Sequence, residues 1–226
     1  YVDEEELIAA AVETEKLSHV DLYGIGTNLT CFSFIQADEE KMERLAEMRK
    51  KVENAAGHTL EIVSGGNSAA LDLMMRGGIC EGVDNFRLGE SLLFGKERSR
   101  YTFLPGTRND GFILECEVVE AKVKPSLPWG TAGMDSYGRK PVFTDRGDRR
   151  KKIICAIGRQ DFDAETAMPV DAGILILGAS SDHLMLDVTD SVKEYKVGDI
   201  VELRLGYFSV LRAFTSPYVE KVFLKE

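Results

Sequence analysis

The chain has 226 residues, 44% of them hydrophobic and 29% charged, which suffices for a full core and is inconsistent with disorder. A formal charge of -10 with no basic block argues against a nucleic-acid partner or an acidic membrane surface. No apolar run approaches the ~20 residues of a membrane span, and four scattered cysteines without a C-x-x-C read as reduced thiols of a cytoplasmic protein.

In chain order, the sequence opens Tyr-Val-Asp-Glu-Glu-Glu, without an initiator Met or a signal peptide, and reads as part of something longer. Asp3 is placed to cap a helix whose Leu7, Ile8, Ala11 and Val12 share a face, running to about Leu17. Val20–Ile25 reads as a buried strand, followed by Gly26-Thr27-Asn28. Asp38 starts a second helix with Met42, Leu45, Met48 and Val52 on its apolar stripe, closed near Gly57. Strand Leu60–Val63 breaks at Ser64-Gly65-Gly66 and continues as Asn67-Ser68-Ala69-Ala70-Leu71, a helix start. Strand Asn85–Leu88 ends in Arg87-Leu88-Gly89-Glu90 before a short helix to Phe94. The α-β-α-β-α-β alternation predicts parallel strands with right-handed crossovers, the last three βα units of a TIM-type barrel.

After Pro105-Gly106 the pattern changes. Phe112–Val123, Lys152–Ile157, Ile174–Gly178, Leu184–Val188, Ile200–Leu205 and Tyr218–Phe223 read as strands, several of them alternating. The expectation is α/β plus all-β, with a partial barrel over 1–105 and a β-barrel or sandwich domain over 106–226.

Two strand ends carry the chemistry. Strand, glycine turn, Asn/Ser, helix is a pattern that aims backbone N–H groups and a hydroxyl at an anion, although Asn67-Ser68 is equally an ordinary helix N-cap. Arg87 at a barrel mouth needs an acceptor, either a ligand or a salt bridge to Glu61, Asp84 or Glu90. Asn28 is a polar group at the neighbouring strand end, or simply a turn residue. Tyr137, in Gly133-Met134-Asp135-Ser136-Tyr137-Gly138, serves as acid/base if a cation lowers its pKa from about 10. Ser180-Ser181-Asp182-His183 holds the residue types of a hydrolase, but neighbours in a strand alternate faces and there is no G-x-S-x-G. The three histidines lack metal-ligand spacing, and neither G-x-x-x-x-G-K-[ST] nor G-x-G-x-x-G is present.

Taken together, EIVSGGNSAAL, NFRLGESLLFG, ILGASSDHLMLDVTD and LRAFTSPYVEKVF resemble the fold-type III pyridoxal-phosphate amino-acid racemases, across the whole chain in order. Within that family, members acting on ornithine are the nearest in GIGTNLTC, SGGNS, RLGE, AIGRQD and TSPYV. The resemblance implies pyridoxal 5'-phosphate as cofactor, with Asn67 and Ser68 on its phosphate and the backbone of Gly89 and Glu90 completing that cup. It implies Arg87 on the pyridine nitrogen and Asn28 where relatives keep a histidine beside the arginine. Tyr137 is implied as the catalytic tyrosine, supplied across a homodimer interface with shared active sites. Asp182 is implied to enter the partner's site and Ser181 to touch substrate through its backbone. Tyr207 is the candidate for a further phosphate-binding tyrosine, though its spacing to the final strand departs from the family's.

The family's Schiff-base lysine lies at the end of the first barrel strand, and no lysine here stands in that setting. The sequence therefore reads as a C-terminal fragment, inactive by itself, of an enzyme that racemises an amino acid by two-base proton transfer at Cα. The competing readings are a non-catalytic structural or dimerisation module and a cofactor-carrier barrel protein; carriers typically lack the β-domain.

Overall fold

The computed structural model describes residues 3–134 and 138–225. The chain divides into two compact units, Tyr1–Asn109 and Asp110–Glu226.

The first unit runs α1 (Glu4–Thr14), β1 (Gly24–Gly26), α2 (Glu39–Ala56), β2 (Ile62–Asn67), a 3-10 turn (Ser68–Ala70) leading into α3 (Leu71–Met75), β3 (Asn85–Arg87) and α4 (Glu90–Phe94). The strands pair in parallel in the order β1-β2-β3, and these are three βα units of a TIM-type barrel. Of the expected Val20–Ile25 strand only Gly24 and Ile25 pair, with Gly26 added beyond its end, and α1 stops at Thr14. Asp38 caps α2 by accepting from Lys41 N at 2.9 Å, and Gly57 ends it in the left-handed region at φ 81°. Met42, Leu45, Met48 and Val52 are the buried face of α2. They pack in two clusters with Val63, Leu73 and Val83, and with Ala11 and Leu60. Arg49 and Glu53 pin the start of β2 to this helix: Glu53 accepts from Leu60 N at 2.9 Å, and Arg49 donates to Leu60 O at 2.9 Å.

The two glycines of β2 shape the strand tip. A Cβ on Gly65 would lie 2.7 Å from Phe86 and 2.8 Å from Val83, so no side chain fits. Gly66 sits at φ 120°, a conformation L side chains rarely adopt. Between Ser64 opposite Asn85 and Asn67 opposite Arg87 the register shifts. This bulge re-aims the residues that follow.

The second unit is antiparallel: β4 (Ile113–Lys124), β5 (Arg150–Cys155), β6 (Ala167–Pro169), β7 (Leu175–Ala179), β8 (Leu184–Asp187) and β9 (Ile200–Leu205), ordered β6-β9-β4-β5-β8-β7, then α5 (Tyr207–Thr215). Period-two patterning explains the core. Leu114, Cys116 and Val118 of β4 point inward, joining Ile153, Phe162, Leu184, Leu186, Val201 and Leu203. Tyr218–Phe223, expected as a strand, is not one. Its apolar residues come in adjacent pairs around Glu220-Lys221 rather than alternating, no strand pairs with it, and Tyr218 and Phe223 are about four-fifths exposed, at 79% and 81%. The helix α5 was not anticipated because its buried side is small and polar. Ser209 and Ala213 face inward while Tyr207, Phe208, Leu211 and Phe214 remain half exposed.

One buried ion pair joins β5 to β8. Asp187, 1% exposed, accepts from Arg150 Nε at 2.8 Å, Thr189 N at 3.0 Å and Thr189 Oγ1 at 2.6 Å. Burial alone would raise the Asp187 carboxyl, but the Arg150 and Thr189 hydrogen bonds outweigh it and hold it below the usual carboxylate range. A depressed folded-state pKa stabilises above the unfolded value near 4, and that stability is lost as pH falls through the folded value. Asp187→Ala is expected to cost about 3 kcal/mol at pH 7, because it leaves Thr189 N and Oγ1 without their acceptor and Arg150 with only the exposed Asp190, 2.9 Å from its Nη2. The difference should shrink below about pH 4. Urea unfolding at pH 7 and pH 3 checks this; equal midpoints for both proteins at pH 7 would contradict it.

Candidate active site

The C-terminal ends of β1, β2 and β3 bring Thr27, Asn28, Ser64, Asn67, Ser68, Arg87 and Gly89 to one rim of the first unit. Ser68, 4% exposed, is the first residue after β2. Its Oγ accepts from Ser91 N at 3.2 Å and Gly89 N at 3.4 Å, and lies 3.1 Å from Ser91 Oγ. Two amides and two hydroxyls thus meet at one point, a donor set suited to an anion's oxygens. The backbone beside them is bare: a Cβ on Gly89 would meet nothing within 4 Å, and one on Gly66 only Thr27 O at 3.9 Å.

Asn67 has a different place. Its amide donates to Asn28 Oδ1 at 2.9 Å, Leu29 O at 3.2 Å and Cys31 Sγ at 3.2 Å, while its Oδ1 caps Ala69 N at 2.8 Å. The amide nitrogen of that side chain ties the β1 loop to the β2 tip, and its oxygen caps the turn that follows. Asn67 and Asn28 are therefore a clamp beside the Ser68 cup.

Arg87 ends β3, exposed at the rim. Its guanidinium donates to Ser64 Oγ and, at 2.8 Å, to Thr27 O. Among the described residues no carboxylate lies within ion-pair distance of it. The three acids that sequence reasoning offered as partners lie elsewhere: Asp84 caps Val63 N and pairs with Arg49, Glu90 pairs with Arg98, and Glu61 makes no ion pair among the described residues. Gly26 leaves room for the guanidinium, since a Cβ there would come within 3.3 Å of the Arg87 nitrogen. Neutral oxygens hold the charge in place without cancelling it.

In the second unit, Ser180–His183 is the bend joining β7 to β8, not a strand. The premise that these side chains alternate faces therefore fails. Asp182 Oδ1 accepts from Ser181 Oγ at 3.0 Å, His183 Nδ1 at 3.2 Å and Ser180 Oγ at 3.3 Å. The Ser181 hydroxyl, against the opposing effect of burial, and then His183 and Ser180 hold the Asp182 carboxyl low. Both hydroxyls bond the carboxylate rather than the imidazole, so no base activates them and this is no hydrolase relay. Tyr207, expected on a phosphate, begins α5 against Phe208. Tyr137 lies outside the described residues. A cleft of about 380 Å³ lined by Arg139, Arg159, Arg212, Asp163 and Glu165 also belongs to this unit and holds none of the residues anticipated from sequence.

Among the described residues no group of three or more His, Cys, Asp or Glu is placed to hold a metal ion, and no helix is long and apolar enough to cross a membrane. All four cysteines are free thiols.

Barrel-type βα units followed in sequence by an antiparallel β-domain are the architecture of the alanine racemases. The chain superimposes on the alanine racemase of D-cycloserine-producing Streptomyces lavendulae with a TM-score of 0.61, at 17% identity over 99% of this chain and 62% of that one. It also matches the alanine racemase of Bartonella henselae with covalently bound pyridoxal phosphate, with a TM-score of 0.52 at 18% identity over 88% of this chain and 51% of that one. In sequence the chain is a relative of two curated amino-acid racemases. It is 44% identical to ornithine racemase of Acetoanaerobium sticklandii over 99% of its own length, and 43% identical to lysine racemase of Thermotoga maritima over 95%. It spans 63% and 60% of the lengths of those two proteins. No protein-family model matches the chain.

Proposed function

We propose that the complete protein is a pyridoxal-phosphate-dependent racemase of a basic amino acid, ornithine first, and that the rim of the first unit holds the cofactor. The observation that carries this reading is the arrangement at neighbouring strand tips of the Ser68 cup and the Arg87 guanidinium, which meets no carboxylate among the described residues. The cup fits a phosphoryl group, and the guanidinium, a donor that keeps its proton, fits an unprotonated ring nitrogen. The similarity to ornithine and lysine racemases supports the substrate class.

Pyridoxal phosphate, when bound, supplies an electron sink for the substrate's Cα. In this reading Ser68 and the amides of Gly89 and Glu90 bind the phosphate, and Asn67 and Asn28 hold the β1 loop against that cup. Arg87 keeps its own proton (guanidinium pKa above about 12) and so donates to the ring nitrogen without protonating it. That restrains the sink and favours reprotonation at Cα. Racemisation needs an acid/base group on each face of Cα, and Tyr137 is proposed for one face. A lysine outside this stretch is proposed for the other. A homodimer is proposed to bring Tyr137, Asp182 and Ser181 to the partner's site.

The test is loss of optical rotation by the complete protein with cofactor, given ornithine, lysine or alanine. Turnover of ornithine or lysine faster than alanine supports the proposal. A protein that binds the cofactor yet leaves all three unchanged contradicts it.

A further inference from the structure

The β7–β8 bend carries a feature that racemisation itself does not require. One oxygen of Asp182 takes three short-range donors, and Oδ2 has no partner among the described residues. Both side chains of the ion pair are open, Asp182 at 58% and His183 at 49%. The bend cannot swing. Ser180 N donates to His183 O at 2.8 Å, Arg159 N to Ser180 O at 2.8 Å and Gln160 N to Ser181 O at 3.0 Å. Gly158 lies so close that a Cβ there would sit 2.2 Å from Asp182 N. The result is a pre-oriented carboxylate with one oxygen turned outward and an imidazole fixed beside it.

We propose that this bend is a subsite for the side-chain ammonium of a basic amino acid, and that protonation of His183 competes with that ammonium for Asp182. The proposal rests on the racemase reading. With His183 neutral the bend carries one negative charge and attracts the ammonium. With His183 protonated the pair is neutral, and the attraction is lost. The other charged groups facing the bend are Arg159 and Asp161, and each is held by a hydrogen bond of its own. Arg159, on the loop packed beneath, donates through Nε to Ala179 O at 2.8 Å and keeps its charge. Asp161 is buried and tied to Ser216 Oγ at 2.7 Å. Gln160 is uncharged, and on the bend itself only Asp182 and His183 titrate.

Competition of this kind is reciprocal: if protonation weakens ammonium binding, ammonium binding opposes protonation by the same factor. For an exposed pair we expect a factor of about five, which is a fall of about 0.7 pH unit in the midpoint of His183. The experiment is an NMR titration of the complete holoprotein alone, with ornithine, and with norvaline, which has the same carbon chain without the side-chain ammonium. His183→Gln identifies its resonance, and His19 and His58 serve as controls. The midpoint of His183 should fall with ornithine and stay with norvaline. In parallel, kcat/KM for ornithine relative to alanine should fall about fivefold on acidification through that midpoint, and His183→Gln should flatten the profile. Ornithine bound and racemised with an unmoved His183 midpoint overturns the proposal and leaves the racemase reading standing. Ornithine neither bound nor racemised overturns both.

Discussion

Arg87→Glu in the complete enzyme is expected to lower racemisation about a hundredfold and to raise the share of turnovers that end in transamination. A fixed, fully charged donor at a ring nitrogen is worth that much because it is already oriented: Ser64 Oγ and Thr27 O hold the guanidinium, and no carboxylate among the described residues neutralises it. A carboxylate at the same place can hold a proton on the ring nitrogen, where a guanidinium cannot. The substitution therefore reverses the electronic influence as well as deleting a bond. It also sets a carboxylate against the Thr27 carbonyl, so thermal unfolding must accompany the kinetics. The decisive quantity is the ratio of transamination to racemisation, which partial unfolding does not change. An unaltered ratio would count against Arg87 at the ring nitrogen.

Ser68→Ala is expected to weaken pyridoxal phosphate binding by between about ten- and a hundredfold, the worth of one hydrogen bond to a charged group. The same change removes the acceptor that Gly89 N and Ser91 N share, so the cofactor-free protein should also lose about 1–3 kcal/mol. Pyridoxal, which lacks the phosphate, separates these effects. If Ser68 acts on the phosphoryl group, pyridoxal affinity should change little while that of the phosphate falls. Equal losses for the two would mean that Ser68 only supports the fold.

Much of this rim was legible in the sequence, and the reasons are local. Gly65 and Gly66 stand where one residue has no room for a Cβ and the next has a positive φ, so the break expected at Ser64-Gly65-Gly66 is instead a bulge inside β2, which runs on to Asn67. The side chains after it were less legible. Asn67 spends its amide on Asn28 and Leu29, nearly forty residues back, and nothing in the local pattern reveals such a partner. The identity of the ligand came from the resemblance, since glycine turns and caps alone left both an anion and an ordinary N-cap open.

In the second unit β4, β5, β8 and β9 were readable because each has a buried face. The stretch 218–223 is rich in strand-forming residues without alternating, and a strand also needs a neighbour, about which composition says nothing. For α5 the error was of the opposite kind. Its inward residues are Ser209 and Ala213, with Ser209 Oγ bonded to Asp163 O at 2.6 Å, so a search for an apolar stripe looks at the wrong face. The Ser180–His183 bend was misread by assuming strand geometry where the chain turns.

The central claim is tested most directly by a crystal structure of the complete protein with pyridoxal phosphate. The account predicts the Arg87 guanidinium about 3 Å from the ring nitrogen, with phosphate oxygens on Ser68 Oγ and the amides of Gly89 and Glu90. A phosphate bound away from Ser68, or a carboxylate facing the ring nitrogen in place of Arg87, would contradict it.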